Sequence, residues 1–351
     1  MKPGSSSFAC YSACAFLAGS IICADALGAS HDSKYSVTAR WKVGGPGGWD
    51  LLAIDDAARR LYLSRSDRVV VLDADSGKVA GEIPHTDGVH GIAIASDLGR
   101  GYTSNGKSNS VTVFDLKTLK ATNEVRIEGQ NPDVILYDQG EHRLYTFNGR
   151  SKDASVLDAK TLAPIGTIAL GGKPEFAVSD GHGRMYVNIE DKAELAVVDE
   201  KALKVVATWP LEACEEPTGL AFDNTHHRLF SVCQNEKLIV TDSADGHRVA
   251  SVPIGKGPDG AVFDSSRGLV FSSNGESGTV TIVHEDDPEH FRVVDNVATQ
   301  KSARTVTLDS KTHRLLLPAA EFGATPAATA EQPKLRPAMV PDTFSVLVVG
   351  S

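Results

Sequence analysis

The chain has 351 residues, a formal net charge of −10 and a hydrophobic fraction of 41%. This hydrophobic fraction excludes wholesale disorder, and the acidic balance makes duplex nucleic acid an unsuitable partner because like charges repel. The length would suit two average domains, but all-β folds built from repeats often exceed about 250 residues as one domain.

The first 29 residues have the layout of a secretory signal peptide. Lys2 precedes an apolar stretch from about residue 8 to 23, and small residues follow it. The stretch is too short and too rich in Ala, Ser and Gly to span a membrane, so we expect no transmembrane segment. We expect cleavage after Ala26 or Ala29 and a periplasmic or secreted location. A lipid anchor on Cys23 is left open, although the residue before it is larger than lipobox positions normally allow.

A repeat of about 42 residues follows and predicts one domain over residues 35–351. Each unit has four apolar runs, and runs such as VTVFD at 111–115 alternate with the period of two that β-strands require. Asn-Gly turns, for example at 105–106, separate the second run from the third. Seven units predict an all-β, seven-bladed β-propeller with four-stranded antiparallel blades. Seven lead positions, spaced by 40 to 45 residues, mark the units: Asp50, His90, Asp133, Glu175, Thr218, Asp259 and Arg304.

The mature protein retains two of the five cysteines, Cys214 and Cys233. An even pair in an oxidising compartment favours a disulfide, and the repeat brings both residues to the same end of one blade. Two buried thiols are the alternative.

The last unit lacks its outer strand. Its first two strands are predicted near 303–309 and 313–317, and its third at 344–349, where the chain ends. The strand candidate at 35–43 belongs to no other unit, so we expect it to complete this blade and leave no open sheet edge. Residues 318–342 are rich in Pro and Ala and predict a long loop, either a lid over one face or a mobile connection.

The strings RLYTFNG, SVLDAKTLAPIGTIALGGKP and RMYVN resemble the YVTN repeat of bacterial YncE-like propellers. The resemblance covers about residues 40–350 and implies the propeller fold and export. It implies no particular activity, because that family has no single agreed reaction. The match is weaker in the sixth blade, where His284 replaces the Asp that ends the third strand of other blades.

The lead positions are predicted to surround the mouth of the central channel. Crowded carboxylates raise one another's pKa or attract a cation, and a hard cation such as Ca²⁺ accepts oxygen ligands. Alternatively, acidic residues after Pro accept backbone N–H groups in turns. The candidate ligand-binding residues are Trp49, Asp50, His90, Asp133, Glu175, Asp259 and Arg304. The candidate metal ligands among them are Asp50, Asp133, Glu175 and Asp259.

The sequence contains no Cys-x-x-Cys-His heme motif, no Gly-x-Ser-x-Gly, no His-Glu-x-x-His and no phosphate loop. We therefore expect a monomeric ligand- or protein-binding scaffold of the cell envelope, whose partner is an envelope protein, a peptide or a small molecule. One alternative is a Ca²⁺-dependent lactonase or ester hydrolase, with His90 as the base. The other is a partner subunit of a periplasmic redox complex.

Overall fold

The computed structural model describes residues 35–325 and 337–351, where 28 strands form seven four-stranded antiparallel sheets. Each sheet is one blade, and the first strands of neighbouring blades contact one another around the central channel. The prediction of a seven-bladed propeller is therefore confirmed. The predicted signal peptide over residues 1–29 lies outside the described residues.

Blades 1 to 3 each use four consecutive strands. Blade 1 consists of β2 (Leu52–Asp55), β3 (Arg60–Arg65), β4 (Arg68–Asp73) and β5 (Val79–Pro84). Blade 2 consists of β6 (Val89–Ala95), β7 (Arg100–Asn105), β8 (Ser110–Asp115) and β9 (Ala121–Arg126), with a short 3₁₀ helix at Ser96–Leu98. Blade 3 consists of β10 (Pro132–Asp138), β11 (Arg143–Asn148), β12 (Asp153–Asp158) and β13 (Pro164–Ala169).

Blades 4 to 6 repeat this order. Blade 4 consists of β14 (Pro174–Ser179), β15 (Arg184–Ile189), β16 (Glu194–Asp199) and β17 (Lys204–Pro210), with a 3₁₀ helix at Glu190–Lys192. Blade 5 consists of β18 (Pro217–Asp223), β19 (Arg228–Cys233), β20 (Lys237–Asp242) and β21 (Arg248–Pro253). Blade 6 consists of β22 (Pro258–Asp264), β23 (Leu269–Asn274), β24 (Thr279–Asp287) and β25 (His290–Ala298).

Blade 7 joins both ends of the propeller. From the channel outward it consists of β26 (Thr307–Asp309), β27 (Arg314–Ala319), β28 (Ser345–Gly350) and β1 (Ser36–Lys42). Strand β1 pairs antiparallel with β28, from Ser36 opposite Gly350 to Lys42 opposite Ser345. The prediction that an N-terminal strand completes the last blade is therefore confirmed.

The hydrophobic core lies between the blades. The middle strands are buried on both faces because neighbouring blades cover them, whereas an outermost strand such as β17 alternates between exposed and half-buried residues. The second strand of each blade contributes one large side chain that is at most 2% exposed. These side chains are Tyr62, Tyr102, Tyr145, Tyr186, Phe230, Phe271 and Leu316.

The Asp residues that end third strands stabilise turns. Asp115 Oδ1 accepts the backbone N–H groups of Lys117 and Thr118 at 3.1 and 2.7 Å, and Asp158 Oδ1 accepts those of Lys160 and Thr161 at 3.0 and 2.7 Å. An Asp side chain commonly binds backbone donors two and three residues ahead in this way. The repeated aspartates therefore have a structural role.

The innermost strands approach one another closely at glycines. A Cβ atom on Gly91 would lie 2.7 Å from the backbone oxygen of Asp133, and one on Gly219 would lie 2.6 Å from the backbone nitrogen of Ala261. A real Cβ would force these strands apart, so glycine is needed where the first strands of adjacent blades meet.

The loop of the last blade begins two residues later than predicted, because Pro318 and Ala319 belong to β27 and pair with β28. Phe322 and Met339 form an isolated β-bridge between its two ends. The part of the predicted loop at residues 326–336 lies outside the described residues. In blade 5, Cys214 before β18 and Cys233 at the end of β19 are disulfide-bonded, with their Cα atoms 5.4 Å apart.

A buried ion pair joins blade 7 to blade 1. Arg59 Nη2 lies 2.6 Å from Asp309 Oδ2, and the side chains are 12% and 0% exposed. Burial alone would raise the pKa of Asp309, but the hydrogen bonds from Arg59 and Thr312 hold it well below its usual range. The charged form of Asp309 therefore stabilises the folded state.

Replacing Asp309 by Asn should lower the free energy of unfolding at pH 7 by about 3 kcal/mol, because Arg59 keeps its charge in a buried position. A lowered folded-state pKa stabilises the protein above the ordinary carboxyl pKa of about 3.9, and this stabilisation disappears as the pH falls below that value. Urea unfolding at pH 7 and pH 3 should therefore show a smaller difference between variant and wild type in acid. Asp75→Asn is the control, because Asp75 also binds Arg59 but is 59% exposed. Equal losses in both variants at pH 7 would contradict this account.

Candidate functional site at the channel mouth

All seven lead residues line one cavity of about 1290 Å³ at the mouth of the channel. In blades 2 to 6 the lead residue is the second residue of the innermost strand, and the register with the next strand shifts across it. Such a shift marks a β-bulge, which re-aims a side chain. In blades 1 and 7 the lead residues Asp50 and Arg304 precede the innermost strand. The fold thus brings together residues that are about 42 positions apart in sequence.

Acidic side chains outnumber basic ones around this cavity. The acidic lining residues are Asp50, Asp67, Asp87, Asp133, Glu175, Glu190, Asp259 and Glu276. The basic lining residues are Arg68, Lys107, Lys173 and Arg304, together with His90. Lys173 and Glu190 were not among the residues predicted from the sequence.

His90 connects two of the carboxylates. Its Nδ1 atom lies 2.6 Å from Asp50 Oδ2 and 3.9 Å from Asp133 Oδ1. Burial alone would lower the pKa of His90, but the hydrogen bond to Asp50 and the charge of Asp133 raise it overall. One ligand atom from each of the three residues lies within 4.8 Å of the others, so this group can hold a metal ion.

Arg304 forms a bridge across blades 6, 7 and 1. It donates from Nη1 to Asp259 Oδ2 at 2.7 Å and from Nη2 to Asp50 Oδ1 at 3.0 Å. Burial raises the pKa of Asp259 to about 7, although Arg304 opposes this shift. Burial, together with the charge of Asp50, also raises the pKa of Asp133 to about 6. The mouth therefore carries two carboxyl groups whose pKa values lie well above the usual carboxyl range.

Glu175 belongs to a separate pair of carboxylates on blade 4. Lys173 Nζ lies 2.6 Å from Glu175 Oε1 and also donates to Glu190. Burial and the charge of Asp133 raise the pKa of Glu175, and Lys173 opposes this shift. Of the four candidate metal ligands, the structure brings Asp50 and Asp133 together around His90, and it pairs Asp259 with Arg304 and Glu175 with Lys173. The Ca²⁺ site stays a prediction.

The turn interpretation of these carboxylates has no support in the described part of the chain. There, no backbone N–H donates to the side chain of Asp133, Glu175 or Asp259, and their side-chain partners are His90, Lys173 and Arg304. Each of the three follows a Pro at the start of the innermost strand, at the point where the register with the next strand shifts. These side chains are therefore available to the cavity.

Trp49 combines packing with a position on the cavity wall. Its ring centroid lies 5.2 Å from that of Phe344 and 5.9 Å from that of Phe322 in the loop of the last blade. The remaining lead residue, Thr218, donates to the backbone oxygen of Pro258 at 3.0 Å. Trp49 thus places that loop beside the mouth, and Thr218 links blade 5 to blade 6.

Fold and site together define a seven-bladed propeller whose channel mouth is a charged, predominantly acidic cavity. Residues 60–265 match the family model described as the cytochrome D1 heme domain, and the chain belongs to that family. The YVTN resemblance stays a prediction. No curated protein sequence matches the chain.

Solved structures of propellers are similar over most of the chain. Hydrazine synthase of Kuenenia stuttgartiensis has a TM-score of 0.70 at 15% identity and covers 85% of this chain and 97% of its own. The RRP9 WD40 repeats have a TM-score of 0.73 at 9% identity and cover 89% of this chain and 97% of their own. U3-55K has a TM-score of 0.73 at 10% identity and covers 88% of this chain and 97% of its own. At these identities the likeness shows the fold alone.

The described residues of the mouth do not fit a heme. A heme needs an axial ligand and largely apolar walls, and His90 is the histidine that lines this cavity. Its Nδ1 atom is bonded to Asp50, and its Nε2 atom packs so close to Gly106 that a Cβ there would lie 2.8 Å away. The excess of carboxylates also repels the carboxylates of a heme. Family membership therefore does not establish heme binding at this mouth.

No helix within residues 35–325 and 337–351 is long and apolar enough to span a bilayer. The two helices at Ser96–Leu98 and Glu190–Lys192 have three residues each. A helix that crosses the hydrocarbon core needs about 20 residues.

Replacing Arg304 by Met should lower the free energy of unfolding by about 1–2 kcal/mol at pH 8, because Asp50 and Asp259 lose their cation. When the folded-state pKa of a carboxyl is raised, the free energy of unfolding of the protein falls as the pH rises from the unfolded-state pKa to the folded-state pKa. The variant raises the pKa of Asp259 further, because Arg304 no longer opposes the effect of burial. The loss should therefore be smaller at pH 6, as measured by urea unfolding at both values. Lys107→Met is the control, since Lys107 lines the same cavity but forms no ion pair with the described residues. A loss that does not depend on pH would contradict this account.

Proposed function

We propose that the protein is an exported binding propeller of the cell envelope whose channel mouth binds a cationic group, carried by a small molecule or by a basic residue of a partner. The observation that carries this proposal is the convergence of Asp50, Asp133, Glu175 and Asp259 on one cavity. Binding pockets combine a concave shape with a few polar groups that select the ligand, and this mouth has both.

The electrostatics of the mouth favour a cation over an anion. The raised pKa values of Asp133 and Asp259 mean that their charged forms are poorly compensated in the folded protein. A bound cation supplies the missing charge, so binding is accompanied by the release of protons from these carboxyls. The same carboxylates repel an anionic ligand.

Export is supported by two features outside the mouth. The signal-peptide pattern over residues 1–29 directs a chain to the secretory pathway. The disulfide between Cys214 and Cys233 suits an oxidising compartment. We therefore propose a periplasmic or secreted location.

Putrescine and agmatine should raise the melting temperature of the full chain in EDTA, and the increase should be larger at pH 8 than at pH 6 because more mouth carboxyls are ionised. Succinate should give no increase. Asp259→Asn should weaken the binding of agmatine about tenfold in titration calorimetry, which corresponds to one lost ion pair. Asp245→Asn is the control, because it removes one charge from an exposed turn outside the cavity.

Two outcomes would contradict the proposal of a cationic ligand. The first is that neither amine raises the melting temperature, and the second is that Asp245→Asn weakens agmatine binding as much as Asp259→Asn does. Adding Ca²⁺ after EDTA tests the hydrolase alternative in the same samples. One equivalent of bound Ca²⁺ with restored stability would favour that alternative, with Asp50, His90 and Asp133 as the ligands to vary first.

The second candidate function is a partner subunit of a periplasmic redox complex. It is favoured by membership of the cytochrome D1 heme domain family. Since the mouth does not fit a heme, the propeller would contribute a binding surface and its partner would carry the cofactor.

A tagged full chain should then be recovered from the periplasmic extract together with a partner whose absorption spectrum shows a heme or another redox cofactor. The propeller purified alone in high salt should lack that absorption. Recovery from the cytoplasm would refute export, and a partner without a redox cofactor would refute this second candidate.

A further inference from the structure

A second cluster of ligand-type side chains lies between blades 5 and 6, at the end of β18 that is opposite to Thr218. Asp223 ends β18, His226 lies in the turn before β19, and Glu285 lies on β24 of the next blade. His226 Nδ1 lies 2.8 Å from Asp223 Oδ2 and 3.1 Å from Glu285 Oε1. One ligand atom from each residue lies within 4.8 Å of the others. None of these residues lines the channel mouth.

The two carboxylates are buried and poorly compensated. The side chains of Asp223 and Glu285 are 3% and 2% exposed, whereas that of His226 is 45% exposed. Glu285 Oε2 is buried and has no hydrogen-bond partner among the described residues. In the same part of the chain, neither carboxylate forms an ion pair with Lys or Arg. Two buried carboxylates that share one imidazole need a further positive charge or a proton.

The propeller repeat does not require a carboxylate at position 285. The backbone N–H of Glu285 donates to the turn of its own blade, to Gly268 O at 2.9 Å. Residues at the corresponding position make the same bond in blades 1 to 5, and these are Ala74, Leu116, Ala159, Glu200 and Ser243. The backbone role therefore needs no acidic side chain.

Blade 6 departs from the repeat at this place. Strand β24 has nine residues, whereas the third strands of blades 1 to 5 have six. Arg228 of blade 5 donates from Nε to Pro288 O at 2.7 Å and from Nη2 to Glu289 Oε1 at 2.8 Å. These bonds hold the extended hairpin against blade 5. They fix Glu285 opposite Asp223 and His226.

We propose that Asp223, His226 and Glu285 form a binding site for a divalent first-row transition-metal ion such as Zn²⁺. Bonds of about 2.0–2.2 Å to tetrahedral Zn²⁺ place ligand atoms about 3.3–3.6 Å apart, so the two separations at His226 Nδ1 need only a modest expansion. One imidazole and two carboxylates suit such an ion better than Ca²⁺, which takes oxygen ligands.

The surroundings of the cluster fit a metal site. The backbone N–H groups of Thr225 and His226 donate to the carboxylate of Asp223 at 2.9 and 3.2 Å and fix its orientation. Groups that orient a ligand in this way raise metal affinity. The exposed edge of His226 leaves coordination positions open to water.

The test is a Zn²⁺ titration of the full chain after treatment with EDTA and dialysis, followed by calorimetry and by metal analysis. The titration uses the His90→Ala background, because the mouth group Asp50, His90 and Asp133 could also bind Zn²⁺. We expect one equivalent of Zn²⁺, and at least about 100-fold weaker binding after His226→Ala or Glu285→Gln.

Glu200→Gln is the matched control. Glu200 occupies the position of Glu285 in blade 4 and is buried, but it belongs to none of the groups that could hold a metal among the described residues. This variant should bind Zn²⁺ as the background protein does. Equal loss in the control, or unchanged binding in Glu285→Gln, would overturn the proposal.

Melting temperatures without metal separate the metal site from a simple ion-pair contact between blades. We expect Glu285→Gln to be at least as stable as the background protein when Zn²⁺ is absent, because one of two adjacent buried carboxylates is removed. It should gain no stability when Zn²⁺ is added. A background protein that binds no Zn²⁺, together with a less stable Glu285→Gln variant, would show that the cluster is only an ion-pair contact. Because His226 is exposed, His226→Ala keeps the test valid if Glu285→Gln does not fold.

Discussion

The structure depends on the closure of a ring of blades. The second and third strands of a blade are buried on both faces, so a single blade cannot bury them without a neighbour on each side. Blade 7 is built from both ends of the propeller. The pairing of β1 with β28 completes this sheet and thereby closes the ring of blades. The buried pair of Arg59 and Asp309 lies at the next junction, between blades 7 and 1. The core of each blade is therefore complete only when the ring is closed.

Closure also produces the chemistry of the mouth. Each blade presents one residue from the start of its innermost strand, and the ring brings these seven residues to one cavity. Carboxylates that would be independent on a flat sheet then lie close enough to alter one another's ionisation. Arg304 and His90 offset part of this repulsion, and their bonds to Asp259 and Asp50 link blades 6, 7, 1 and 2. The polar ring thus contributes to blade association.

Sequence periodicity was sufficient for the fold and for the positions that face the channel. Register is strict in a propeller, because each large buried side chain such as Tyr102 must fit between two blades. The ion-pair partners of the lead residues could not be predicted from the sequence. Lys173 lies two residues before the lead residue Glu175, and Glu190 lies in the turn between β15 and β16, where blades 2, 3 and 6 have an Asn-Gly turn. Their contact forms across two loops of one blade, and no repeat spacing encodes it. Asp223 and Glu285 lie close together across a blade boundary, and their proximity could not be predicted from the sequence for the same reason.

Departures from the repeat are where a propeller of this kind acquires its own chemistry. A residue that recurs in most blades, such as the aspartate that ends a third strand, serves a turn that every blade needs. Arg304 and His90 occur once in the ring, and Glu285 stands where blades 1, 3 and 5 have Ala74, Ala159 and Ser243. Membership of the cytochrome D1 heme domain family accounts for the shared frame, but a fold does not determine a ligand. The acidic mouth and the hydrogen-bonded ring of His90 oppose heme binding, so the cation binding that we propose rests on residues of this chain and not on the family frame.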